Sequence, residues 1–231
     1  MNILRSLLFG SFLFAILPQA NAGHGQDCNF PASARASWVR FLSRGLQMHD
    51  AKNAARMTKV ASEIIYGEVN RLKSRIATGL SPNTPLKVSS YSNLDLSLLS
   101  LAVAACQDSI VHVLVGAGAS VNAIPGGSPP LTVAAANGDT HILRFLLEHG
   151  ANTAHVGVMG HTALQDAVRQ RHLSAVKLLL AHGSDPNRSA GGGGTILDIV
   201  SHSANPVDQA IAKELRKYGA VSTLTAVSAP K

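Results

Sequence analysis

Residues 127–152 read GSPPLTVAAANGDTHILRFLLEHGAN, and residues 160–187 read GHTALQDAVRQRHLSAVKLLLAHGSDPN. Set side by side, the two stretches fall into step. Leu131 and Leu164 are 33 residues apart, as are Gly150 and Gly183, and Leu197 continues the leucine series. A fixed period of this size marks a chain built from stacked supersecondary units, none of which can bury its apolar face alone. Each feature has a mechanical reason. Pro130 and Thr162 stand where a helix begins, a place that needs a cap or tolerates a missing N–H. Ala134, Ala135 and Ala167 are small enough to let neighbouring units approach. Leu146, Leu147, Leu179 and Leu180 fill the space between units. Gly150 and Gly183 close the second helix, where positive φ is often required. His149 and His182 precede those glycines, where a partly charged imidazole favours the helix C-terminus.

The whole pattern resembles the ankyrin repeat, G-x-T-P-L-H-x-A-A-x-x-G-H followed by V-x-x-L-L-x-x-G-A-D-x-N. The resemblance implies an all-α solenoid of helix-turn-helix repeats with hairpin fingers. It also implies work done by binding proteins through finger tips and the concave helix face. Fold alone does not establish such a role, so this step is by analogy.

Extending outward gives further copies. Leu99–Ala105 with Ile110–Asn122 makes a good repeat, in which Asp108 is aligned with the inter-helix glycine. Thr195–His202 with Val207–Tyr218 makes a last one, and Val60–Gly67 with Glu68–Asn83 a degenerate first one, followed by a longer loop over Thr84–Asn93. The expected organisation is five repeats at 57–83, 94–123, 124–155, 156–188 and 189–221. A lead at 23–56 contains an amphipathic capping helix over Ala32–Leu46, with Trp38 as a packing residue, and a tail follows at 222–231.

Ahead of these lies a segment of another kind. Arg5 precedes the apolar run LLFGSFLFAIL at 7–17, Pro18 follows, and Ala20-Asn21-Ala22 places small residues where signal peptidase reads them. This predicts a secretory signal peptide over residues 1–22, with a mature chain starting at Gly23. The run is too short for a membrane span, and no later stretch is long and apolar enough. An exported, periplasmic location follows, in the envelope of a Gram-negative bacterium. With 46% hydrophobic and 14% charged residues the chain is too apolar to be disordered. The charge is uneven: ten Lys or Arg face four Asp or Glu over 23–87, against nine of each over 88–231. The basic excess suits an acidic partner or lipid headgroups, or is simply a solvated helical surface. Cys28 and Cys106 are the only cysteines. An oxidising compartment favours a disulfide between them, worth roughly 4 kcal/mol by the chain-entropy model. Two free thiols, or an intermolecular link through Cys28, are the alternatives. In this alignment Cys106 takes the place of Ala136 and Arg169 at the end of a first helix.

Motifs for catalysis are missing. Gly191–Gly194 with Thr195 lacks the Lys-Ser/Thr of a phosphate loop. There is no H-E-x-x-H, no zinc-finger cysteine spacing and no G-x-S-x-G. The reading is therefore no enzyme, no resident cofactor or metal and no nucleic acid, but a monomer that binds a protein. Candidate contacts are Pro125, Ser128, Asn137, Val158, Met159, His161, Arg169, Gln170 and His202, from the fingers and the variable pair after the Ala-Ala. Val156, Val158 and Met159 stand out as apolar residues at a finger tip. Two roles fit this class: an immunity protein against an envelope-targeted toxin, and an accessory to a partner enzyme. The resemblance extends to exported bacterial ankyrin proteins linked to periplasmic catalase and oxidative-stress defence. The alternative from another class is a haem or metal carrier using His155, His161 and His202. The export step is checked by intact mass: protein from a periplasmic extract should begin at Gly23, and a full-length cytoplasmic product would overturn it.

Overall fold

The computed structural model describes residues 32–46, 51–87, 95–122, 128–157, 159–189 and 194–223. The signal-peptide segment, Cys28, Pro125, Val158, Gly191–Gly193 and the last eight residues lie outside the described residues.

The helices pair in the expected way. A leading helix, α1 (Ala32–Leu46), packs on α2 (Ala51–Tyr66), and α2 with α3 (Val69–Ala77) forms the first repeat. Then come α4 (Leu98–Ala104) with α5 (Asp108–Gly116), α6 (Pro130–Asn137) with α7 (Thr140–Glu148), α8 (Ala163–Arg169) with α9 (Leu173–Ala181), and α10 (Ile196–Ser201) with α11 (Pro206–Lys217). First helices stack in the order α2, α4, α6, α8, α10, and α9 lies between α7 and α11 among the second helices. This is an all-α ankyrin-repeat solenoid. Its core is one continuous apolar row in which Ile64, Leu99, Leu131, Leu164 and Leu197 are all buried. Trp38 and Leu42 of α1 join that row, so α1 covers the side of α2 turned away from the second repeat. The first helix of the first repeat starts at Ala51, earlier than the sequence pattern alone indicates.

Between the first two repeats the stretch expected as a longer loop contains a finger. Strands β1 (Pro85–Lys87) and β2 (Asp95–Ser97) pair antiparallel, with Leu86 opposite Leu96. Both leucines are buried. A hairpin whose inner face is apolar must lie against the stack, and this fixes its register.

Backbone hydrogen bonds at the helix–helix corners set the alignment of repeats and correct one expectation. Gly67 N–H donates to Ile64 O, Cys106 to Val103 O, Gly138 to Ala135 O and Arg171 to Val168 O. All four corner residues have positive φ, at 73°, 56°, 72° and 60°. The corner of the second repeat is therefore Cys106. Asp108 is the first residue of α5, and Cys106 matches Gly138 and Arg171 rather than Ala136 and Arg169. An L-residue in this region costs roughly 1–2 kcal/mol, and only the surrounding packing holds it there. Gly138 is needed for a second reason: a Cβ there would come within 2.4 Å of the His172 ring. His172 in turn donates from Nε2 to Ala136 O at 3.1 Å, across the junction of two repeats. Burial holds its imidazole below the ordinary value, which suits a neutral ring packed between repeats.

The outer edge of the stack is stitched by asparagines four residues past the closing glycines of the first, second and fourth repeats. Asn83 donates to Gly118 O at 2.9 Å and accepts from Ser120 N–H at 2.8 Å. Asn122 does the same with Gly150 O and Asn152 N–H, and Asn187 with Gly219 O and Val221 N–H. The third repeat has Ala154 at this place. Its link to the fourth is instead Arg188, which donates from Nη1 to Ala154 O at 3.1 Å.

Three substitutions measure these terms in urea melts of the full chain. Leu179→Ala empties a fully buried site and should cost about 2–5 kcal/mol. Asn122→Ala removes two exposed hydrogen bonds to the next repeat and should cost about 0.5–1.5 kcal/mol. Asn152→Ala, whose side chain bonds only to Ala154 within its own repeat, should cost clearly less than Asn122→Ala. Equal costs would mean that the asparagine rungs carry no stability.

Candidate functional site

The surface most suited to binding is built from the finger before α8 and the exposed ends of the first helices. The finger closes on itself. Val156 bridges to Thr162, Gly157 N–H donates to His161 O at 2.9 Å, and Gly160 turns with φ +76°. Its base is fixed by the start of α8, where Thr162 and Gln165 cap each other in a capping box. Gln165 also donates from Nε2 to Arg188 O and Ser189 O, at 3.1 and 3.0 Å, and so fastens the next finger to the same helix. On this rigid base Val156 and Met159 remain 42% and 38% exposed. Apolar side chains held out on a fixed turn lose little entropy when a partner covers them.

His161 is anchored differently from the other candidates. Its Nδ1 lies 3.2 Å from Asp166 Oδ1, and both side chains are largely covered. Burial raises the Asp166 carboxyl above its ordinary value, opposed by the hydrogen bond and charge of His161. The pair joins the finger to α8, so His161 acts first as a positioning group. Asn137 is also held internally. It is half-buried and donates from Nδ2 to Val103 O at 3.3 Å, across two repeats. Ser128 is half-buried, and its carbonyl accepts from Ser100 Oγ at 2.7 Å. Arg169, Gln170 and His202 are exposed at the ends of α8 and α10. Pro125 and Val158 lie outside the described residues.

One exposed residue of this kind escapes the sequence pattern. Tyr66 is 46% exposed and stands immediately before the Gly67 corner, the same step that Asn137 and Gln170 occupy before theirs. The degenerate first repeat hides this alignment. Counting back one residue from Gly67 would have found it.

The histidines suggested as ligands have separate surroundings. His161 faces Asp166, the Nδ1 of His202 lies 3.0 Å from Ser201 Oγ, and the buried Nδ1 of His155 has no hydrogen-bond partner among the described residues. Among the described residues no group of three or more His, Cys, Asp or Glu side chains is placed to hold a metal ion. None of the described helices is long and apolar enough to cross a membrane.

At the far end of the stack a different device closes the last repeat. Asp198 accepts from Thr195 N–H at 2.8 Å, from Thr223 Oγ1 at 2.6 Å and from Ser222 Oγ at 2.5 Å. These donors hold its carboxyl far below the usual range. The chain after α11 is thereby folded back onto the start of α10.

Comparison with known proteins agrees with this architecture. Residues 99–190 match the family model described as ankyrin repeats in three copies. Over 93 residues the chain is 39% identical to the nuclear factor NF-kappa-B p105 subunit of Gallus gallus, which covers 38% of this chain and 10% of that protein. It is 37% identical over 90 residues to alpha-latroinsectotoxin-Lt1a of Latrodectus tredecimguttatus, covering 38% and 6%. It is 37% identical over 75 residues to human BCL-6 corepressor-like protein 1, covering 32% and 4%. The chain thus spans a tenth or less of the length of these relatives, and the likeness is one of repeat to repeat.

The buried Asp166 gives a pH signature. Its folded carboxyl binds a proton more readily than the unfolded one. Its contribution is therefore fully present below the unfolded value of 3.8 and is lost as pH rises through the folded value. Asp166→Asn should accordingly gain stability relative to the parent as pH is raised from 3.8 toward neutrality. Denaturation curves at both ends of that window check this, and a difference independent of pH would contradict it.

Proposed function

We propose that this ankyrin-repeat chain is an exported binding protein of the bacterial envelope. It acts by covering the surface of a protein partner and carries out no chemistry of its own. The observation that carries this reading is the pair Val156 and Met159, exposed on a finger whose own turn is closed by hydrogen bonds from Gly157 N–H to His161 O and from Gly160 N–H to Gly157 O. Arg169, Gln170 and His202 supply a polar surround. An apolar centre with a polar rim is the usual plan of a protein interface. The repeats themselves support a protein-interaction role. The apolar run and small-residue site ahead of Gly23 support export to the periplasm.

Two uses share this mechanism of occupancy. An immunity protein would block the working surface of an envelope-targeted toxin, and an accessory would hold or protect a partner enzyme. The protein acts as a monomer in either. The pairing of Cys28 with Cys106 belongs to the same proposal. It would tie the lead to the strained corner of the second repeat at Cys106.

The mature protein, used as bait in periplasm from its own source, should capture a partner. Met159→Lys should weaken that complex by about 1–3 kcal/mol while leaving the helical signal and melting temperature nearly unchanged. Unchanged affinity would remove this finger from the interface. Alkylation without reductant should leave both cysteines unmodified and the protein monomeric. Two modified thiols, or a reductant-sensitive dimer, would reject the internal bridge.

A further inference from the structure

The first repeat carries a feature that the other repeats lack. The residue four before each corner is Ala102, Ala134 or Ala167 in the three middle repeats, each fully buried. The residue four before each closing glycine is Leu114, Leu146, Leu179 or Leu215 in the four later repeats, also fully buried. Glu68 N–H donates to Glu63 O, and Leu80 N–H to Arg75 O, as Asp139 does to Ala134 and Ala151 to Leu146. These bonds place Glu63 and Arg75 at the same two positions of the first repeat. An alanine–leucine pair of the core has become an ion pair.

Its geometry is one-sided. Arg75 Nε donates to both carboxylate oxygens of Glu63, at 2.9 and 2.6 Å. The Glu63 side chain is 7% exposed and that of Arg75 is 30% exposed. No protein hydrogen bond is made by the two Nη groups of Arg75 among the described residues, and Arg75 lines a groove of about 460 Å³ between α2 and α3. Lys59 and Arg71 also line it. Glu63 is held by Arg75, and Glu68 Oε2 lies 3.2 Å from Arg71 Nη1 without a hydrogen bond among the described residues. Lys59 remains as the excess positive charge.

A solvated polar cap would suffice to end a solenoid. A buried carboxylate that grips one edge of a guanidinium costs desolvation, and it does something more specific. It presents the opposite edge of Arg75 as a fixed fork, the shape that receives a second carboxylate. We propose that this groove docks an acidic segment of a protein partner, with an Asp or Glu side chain seated on the Arg75 fork. This surface lies in the first repeat, apart from the finger before α8, and the inference stands without that interface.

The remaining groove walls favour a peptide over a free phosphate. Ser62 donates its hydroxyl hydrogen to Lys59 O and Ser74 donates to Asn70 O. Their oxygens are therefore left as acceptors, suited to peptide N–H groups and repellent to a phosphate. The volume accommodates several atoms beyond one anion. The surrounding third of the chain, with ten Lys or Arg against four Asp or Glu, would draw an acidic segment in.

The test is a titration of the full chain followed at the Arg75 side-chain Nε–Hε signal by NMR. The probes are a short Asp/Glu-rich peptide, its Asn/Gln counterpart and inorganic phosphate at matched ionic strength. The acidic peptide should shift the signal saturably, and the neutral peptide should not. Arg75→Lys keeps the charge but loses the fork, and should weaken binding about tenfold. If that variant fails to fold, Lys59→Gln and Arg71→Gln, both on exposed side chains, should each weaken binding about twofold to fivefold. No saturable shift, or an equal shift with the neutral peptide, would overturn the proposal. Phosphate binding as tight as the peptide would overturn it in favour of a small-anion site.

Discussion

Each repeat of this chain completes the surface of the next. A pair of helices six to sixteen residues long has too little apolar area to stand alone, and the stack exists because alanines on one pair admit the leucines of another. Ala102, Ala134 and Ala167 are fully buried for that reason, as are Leu114, Leu146, Leu179 and Leu215. Everything else is arranged around this mutual burial. Close approach leaves backbone carbonyls at the seams, and polar side chains satisfy them: Gln107 reaches Ile65 O, Asn137 reaches Val103 O and His172 reaches Ala136 O. On the outer edge the asparagine rungs do the same work. The side chains that look most free to evolve a new contact are partly committed to holding the stack.

The two ends solve the problem of an absent neighbour in different ways. At the start α1 supplies apolar cover to α2 through Trp38 and Leu42. It leaves α3 beside an open groove, where Glu63 and Arg75 replace the alanine and leucine of the middle repeats. At the other end charge is placed on the outer surface. Arg216 stands exposed where Leu180 is buried, while beneath that surface the buried Asp208 is held by Arg171 at 2.8 Å. Asp208 is held below the usual carboxylate value by that guanidinium, and Ser203 donates to the same group. The returning chain is then pinned by Asp198. A polar end is compatible with water and discourages further stacking.

Function in such a scaffold rests on what is left over once the repeats have satisfied one another. In the finger before α8 the backbone bonds are used internally, so Val156 and Met159 are the available part. His161 is drawn inward by Asp166, and Asn137 by the preceding repeat, although both occupy positions that carry contacts in many ankyrin stacks. Tyr66 goes the other way, exposed in a repeat whose pattern has decayed.

The sequence by itself determined the period, the helix pairs and the leucine and alanine rows, because these follow from local spacing: one residue type at one step of 33 can serve only one place in a stack. It determined the closing glycines for the same reason. Tertiary structure alone decided which residue turns each corner. Cys106 and Arg171 occupy a backbone region that their residue types disfavour, and only packing from adjacent repeats holds them there. It also decided that the stretch after Asn83 forms a finger, since two three-residue strands carry too weak a signal until the stack buries Leu86 and Leu96. And it decided the partners of His161, Asn137 and Arg75. Each depends on a group five or more residues away in sequence, and no periodicity specifies a contact between side chains that meet only when the solenoid has closed.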